Sequence, residues 1–144
     1  MQKNNYSITV NSVIDNLTDA GLPDGEPEIN IFTTDGSLEA ADGTYRICFS
    51  ETEEGQTSHS VLTVNEKKAH LKKSGAIESE MSFVPGESSK TVYRVGPYAF
   101  DMLTEARKIR SSLTPDGGEV QIIYSMNIGG QAKSVRMKIT AKRK

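Results

Sequence analysis

The sequence predicts an all-β protein, a single antiparallel up-and-down barrel of roughly eight to ten strands spanning residues 1–144. Three observations carry this. Apolar residues recur at every second position through most of the chain, the period of a strand with one buried face. Turn dipeptides such as Asp42-Gly43 and Gly129-Gly130 punctuate those stretches at short intervals. Consecutive one-sided hairpins need a partner sheet or closure, and no segment reads as a long helix that would cover a sheet, so closure is favoured.

The clearest stretch is Met81 to Met102. Met81 and Phe83 alternate with polar residues before Pro85-Gly86, Tyr93 and Val95 before Gly96-Pro97, and Tyr98, Phe100 and Met102 after it. This predicts three strands folded at two bends. Upstream, Tyr6, Ile8 and Val10 define a first strand. It continues through Val13 and Ile14, where the one-residue phase shift suggests a bulge. Asp15 to Glu28 holds Gly21, Pro23, Gly25 and Pro27 and reads as a loop; its five acidic residues do not have calcium-loop spacing. Ile29 and Ile31 begin a second strand expected to end near Asp35-Gly36.

Tyr45, Ile47 and Phe49 alternate in the third strand. A two-residue turn at Glu54-Gly55 pairs Tyr45 with Val64 and Ile47 with Leu62, and leaves Glu51, Glu53 and Glu54 at a hairpin tip in water. Lys67-Lys68 turns the chain into a short strand through Ala69 and Leu71, ending at Lys72-Lys73-Ser74-Gly75. Leu103 to Leu113 is contested: Leu103, Ala106, Ile109 and Leu113 have helical spacing, but the strand before them has no break, and the segment is expected to be extended. After the Pro115-Asp116-Gly117-Gly118 turn, Val120 to Ile128 and Val135 to Ala141 form a closing hairpin around Gly129-Gly130. Two registers fit it: a two-residue turn pairs Ile122 with Met137, a four-residue turn pairs Ile122 with Ile139. The last strand is expected to carry Lys133, Arg136, Lys138 and Lys142 on its outer face, followed by Arg143 and Lys144, as a solvated basic face.

Composition narrows function by exclusion. Net charge is −2, which gives no global attraction to nucleic acid, and no apolar run approaches the ~20 residues of a membrane-spanning helix. Neither nucleic acid nor membrane is expected as a partner. Apolar residues make up only 35% and mean hydropathy is −0.47, so the core is thin or the surface very polar. The single cysteine, Cys48, has no internal disulfide partner, and the N-terminus lacks a signal-peptide core, so a cytoplasmic location is expected. His59 and His70, the only histidines, fall on neighbouring strands with partners four residues apart. At ~3.4 Å per residue that is on the order of 13 Å, too far for one metal. No nucleophile–base pair or metal set emerges, so neither an enzyme nor a cofactor is expected.

The glycines and aromatics also form an ordered series: Thr34 and Gly36; Tyr45 with Glu51; Gly75, Met81, Phe83 and Gly86; Tyr93, Pro97, Tyr98, Phe100 and Met102; and Tyr124. In this series the chain, from Ile8 to Ile139, resembles the YwiB-like family of small bacterial proteins. Ala99 departs from the glycine that the family often places there. The resemblance implies a calycin-type, lipocalin-like barrel, favours strand over helix from Thr104 to Leu113, and brings no catalytic residue or ligand with it.

A binding module for a small apolar or amphipathic molecule is therefore the first expectation. Its candidate lining residues are the aromatics Tyr45, Phe83, Tyr93, Tyr98, Phe100 and Tyr124. The plainer reading is that these rings simply fill the core. The alternative function is a structural or interaction module acting through an exposed strand edge or the basic C-terminal strand. Oligomeric state is not legible.

Overall fold

The computed structural model describes residues 5–144. Ten strands form one closed antiparallel barrel: β1 (Tyr6–Asn16), β2 (Glu28–Ala41), β3 (Thr44–Glu53), β4 (Gln56–Val64), β5 (Ala69–Gly75), β6 (Ile77–Phe83), β7 (Ser88–Val95), β8 (Tyr98–Ser111), β9 (Gly117–Ile128) and β10 (Gln131–Arg143). Each strand pairs with its sequence neighbours, and β1 closes the ring by pairing with both β2 and β10.

The tight turns have the chemistry that their geometry requires. Asp42-Gly43 and Glu54-Gly55 both hold φ near +50° and then near +80°, the left-handed pair that matches the twist of two adjoining strands. The Glu54-Gly55 turn pairs Tyr45 with Val64 and Ile47 with Leu62, as the apolar parity predicts, and His70 lies opposite Thr63. At the closing hairpin the two-residue turn is the one adopted: Ile122 faces Met137 and Tyr124 faces Val135.

Three expectations are corrected. β1 carries no bulge: its register with β10 runs unbroken from Tyr6↔Arg143 to Asn16↔Lys133, so Ile14 keeps the inward parity of Ile8 and Val10 while Val13 faces out. The apparent phase shift is only an extra apolar residue on the outer face. β2 does not stop at Asp35-Gly36 but continues to Ala41. Gly36 is an approach point within it; a Cβ there would lie 2.6 Å from Ile8 Cγ1 and against the carbonyl oxygen of Cys48. Lys133 has the parity of Val135, not of Arg136 and Lys138, and so faces inward.

Leu103 to Leu113 is extended through Ser111, as expected, and the structure explains its helix-like spacing. β8 has a bulge between Ala106 and Lys108. Ala106 sits opposite the inward Tyr124, Arg107 is the additional residue, and Ile109 sits opposite the inward Ile122. Two inward residues on either side of a bulge are three apart, the same interval as one helical turn.

The barrel is packed at one end only. At the end holding the 42–43, 65–68, 84–87 and 112–116 connections, Tyr6, Leu38, Ile47, Val64, Phe83, Leu113, Val120, Ile122, Ile139 and Ala141 make a dry core. The 112–116 turn caps this end. Tyr6 Oη donates to the Pro115 carbonyl (3.1 Å), and Arg143 donates to Tyr6 Oη and to Asp116, each at 3.1 Å. Ten strands enclose more width than eight, so side chains that fill one end need not fill the other.

Candidate functional site

Toward the opposite end the interior is an open cavity of about 880 Å³. Its floor is the Tyr124 ring, which packs on Phe83 beneath it with centroids 4.8 Å apart, across the barrel from β9 to β6. Its side opening follows from strand pairing. β2 and β3 are bonded only from Gly36↔Phe49 to Ala41↔Thr44. Beyond Gly36 they diverge, and residues 28–34 of β2 and Phe49–Glu53 of β3 become the two lips of the cavity. Phe32 and Phe49, with ring centroids 6.2 Å apart, bridge the gap where it begins.

The wall has two characters. Val10 and Ile14 on β1, Met102 on β8, Met126 and Ile128 on β9, and Val135, Met137 and Ile139 on β10 make an apolar side, interrupted by Lys133, the next inward residue of β10. Of the five methionines in the chain, Met81, Met102, Met126 and Met137 all line this space. The other side is polar. On β5 the inward parity runs Ala69, Leu71, Lys73, so the strand that starts in the core ends with an ammonium in the cavity. Lys73 pairs with Ser60 on β4 and Ser79 on β6; both serines are buried. The β6–β7 ladder comprises Ile77↔Val95 and Glu78↔Arg94; Ser79 and Tyr93 are the next residues on each strand, and Tyr93 also lines the cavity. Glu51, one inward position beyond Phe49, stands at the rim.

The electrostatics follow the burial. Desolvation pushes the Lys73 ammonium below the usual lysine pKa, with the Glu51 carboxylate working against that shift. Burial, and then Glu51, raises the Tyr93 phenol. Burial alone pushes Tyr124 up to about 12. The ion pairs among the described residues are His70–Glu80, Arg143–Asp116 and Lys144–Asp35, so Lys73 has no carboxylate within ion-pair distance. Two deeply buried hydroxyls, Ser79 Oγ and Thr104 Oγ1, have no hydrogen-bond partner among those residues.

The six aromatic candidates therefore separate. Tyr93 and Tyr124 line the cavity. Phe83 is fully buried beneath it, and Tyr45 packs against the core at the closed end. Tyr98 and Phe100 share the inward parity of Met102 but lie beyond the wall, 66% and 40% exposed, because the β7–β8 hairpin projects past the rim. Glu51 is not part of a hairpin tip in water; it is half-buried on the inner parity of Ile47 and Phe49. Lys73, Ser79 and Ser60 were not singled out from sequence. Their signal was parity: each occupies an inward slot otherwise held by apolar residues. Of the remaining reactive groups, His59 Nδ1 lies 2.7 Å from Ser50 Oγ and His70 Nε2 lies 3.0 Å from Glu80, on separate parts of the outer wall. Cys48 is a partly buried free thiol. Among the described residues, no helix is long and apolar enough to cross a membrane.

A closed up-and-down barrel with one dry end and one open, mixed-polarity end defines a class of protein built around an interior of ligand size. The chain belongs to the family described as a domain of unknown function (DUF1934), whose match covers residues 17–140. It is 24% identical over 130 residues to the uncharacterized β-barrel protein YwiB of Bacillus subtilis (strain 168), covering 90% of this chain and 87% of that protein. The crystal structure of the ywiB protein from Bacillus subtilis superposes with a TM-score of 0.83 at 23% identity, covering 99% of this chain and 95% of the other, so the two share the fold.

Proposed function

We propose that the open half of the barrel binds a small apolar or amphipathic molecule without transforming it, and that the protein does so in the cytoplasm. The observation that carries this reading is the methionine lining. Met81, Met102, Met126 and Met137 all border the cavity, and unbranched, polarizable side chains adapt to a guest better than the branched residues that fill the dry end. The cavity lies within the size range of small-molecule sites, roughly 300–1,000 Å³. The unpaired thiol of Cys48 fits a reducing compartment. Native mass spectrometry on protein purified from its own host tests the reading: a retained mass that dissociates on activation is expected, and a bare chain after gentle isolation argues against it.

A second reading, interaction through a strand edge, is favoured by the β2 segment 28–35, which pairs with β1 on one side but not with β3 on the other. Ile29 and Ile31 on its outer face are each 61% exposed. The same spectra count subunits, and a stable oligomer lost on Ile31→Lys supports this second reading.

A further inference from the structure

Two lysines line the cavity, Lys133 on β10 and Lys73 on β5. Lys73 occupies an inward slot on β5 where the preceding inward residues, Ala69 and Leu71, are apolar, and its burial is unfavourable to its charge. It has no ion-pair partner among the described residues. Directly across the β5–β6 ladder is Ser79, only 6% exposed, whose hydroxyl has no hydrogen-bond partner among those residues. Buried hydroxyls and ammonium groups are normally satisfied. The Ser79 oxygen does not reach the cavity; the group that does is the half-buried Lys73 ammonium, a donor unpaired among the described residues in a lining of mixed polarity. On Lys73's other flank is the buried Ser60, and Tyr93 follows on β7.

Resting on the cavity reading above, we propose that the ligand is an amphipathic organic anion, its carboxylate received by the Lys73 ammonium and its apolar body lying along Met102, Met126 and Met137. A carboxylate accepts from several donors at once, and charge-assisted hydrogen bonds are the strong ones. The anion supplies to Lys73 what burial removes. Of the carboxylates that line the cavity, Glu28, Glu51 and Glu53, Glu51 is the one whose charge acts on Lys73. Being acidic, it opposes an anion's approach, so its removal strengthens anion binding; were it the head-group site, the ligand would be a cation and its removal would abolish binding. Ser79 and Lys73 do not form a nucleophile–base pair, because Ser79 Oγ is hydrogen-bonded to nothing among the described residues, Lys73 included.

The test uses the intact protein and three probes of equal chain length, decanoate, decanol and decyltrimethylammonium, titrated by calorimetry below their aggregation limits. Decanoate is expected to bind about tenfold or more tightly than decanol. Lys73→Met is expected to remove that preference and Lys73→Arg to retain part of it. Glu51→Gln is expected to tighten decanoate. A thermal melt of apo Lys73→Met at least as stable as wild type separates a ligand-binding lysine from a structural one, whose loss would lower the melt. Equal affinity for acid and alcohol, unaltered in Lys73→Met, overturns the anion site while sparing the cavity reading. Preference for the ammonium probe, lost in Glu51→Gln, overturns it in favour of a cation site. Failure of all three probes to bind overturns both.

Discussion

Tyr124 shows how one position serves both halves of the barrel. Its ring is 5% exposed and stacks at a tilt on Phe83 to make the boundary between dry core and cavity. Its hydroxyl belongs to a residue that lines the open side. Removing only the hydroxyl leaves the ring contacts intact, so Tyr124→Phe is expected to change apo stability by less than about 1 kcal/mol. Tyr124→Ala deletes the floor and is expected to cost about 3 kcal/mol or more; urea denaturation of both variants checks the pair. The phenol also carries a pH signature. Its pKa is about 12 in the fold against 10.0 when free, so the neutral form is the one the fold stabilises. The stability this contributes is complete below pH 10 and is lost as pH rises through 10 toward 12, because the unfolded chain ionises first. The full loss amounts to about 3 kcal/mol. Wild type is therefore expected to lose stability relative to Tyr124→Phe between those limits and to run parallel to it below them, as measured by denaturation across that range.

At the scale of the element, the β8 bulge decides what that strand presents to the core. Arg107 is the residue that lets Ala106 and Ile109 both face inward, with Lys108 and Arg110 outside opposite Ile123 and Gln121. Deleting Arg107 leaves a regular ladder in which Lys108 still faces out and Ile109 still faces in, because the residue removed is the additional one. Flattening the bulge with Arg107 kept would instead bury the Lys108 ammonium in place of Ile109, at a cost of several kcal/mol, on the order of half or more of a small domain's stability. Deletion is therefore expected to keep cooperative unfolding, and Arg107→Ala, which keeps the bulge, is expected to be within about 0.5 kcal/mol of wild type; loss of cooperative unfolding on deletion would mean that the bulge itself is required. Circular dichroism melts of the two compare them directly. The β2–β3 pair makes the same point from the other direction. Gly36 lets two backbones meet where any side chain would collide with Ile8, and the strands separate only beyond it.

Across the whole molecule the dry and open ends differ in what a truncation removes. Ile122 is fully buried among neighbours from several strands, and Ile122→Ala is expected to cost about 3 kcal/mol. Met126, two inward positions further along the same strand, borders the cavity, and Met126→Ala is expected to cost about 1 kcal/mol, because much of its surface faces space rather than packed atoms. Equal losses in guanidinium denaturation would mean that the upper half is as tightly packed as the lower.

Strand number, parity and most turns were legible in the chain because alternation with period two and glycine-bearing turn pairs are local signals. The pairing of Tyr45 with Val64 and the inward face of Val120 to Ile128 follow from them. The family series of glycines and aromatics pointed to the same barrel, and the family match bears this out. Other features required the closed ring. Parity says that Tyr98, Phe100 and Phe83 share an inward face, but not how far along the barrel axis each one lies; stagger between strands places the first two past the rim and the third beneath the floor. Lys73, Ser79 and Glu51 looked like ordinary surface residues because a charged or hydroxyl side chain on a short strand usually is one. They are far apart or unremarkable in sequence, and only closure of β3 to β7 into one wall brings Lys73 and Glu51 to the same cavity, with Ser79 buried beside Lys73. The chain by itself determines which residues point inward, since that depends on local alternation. Tertiary structure alone decides which inward residues meet side chains and which meet open space, since that depends on the width of a ten-strand ring and on where its strands part.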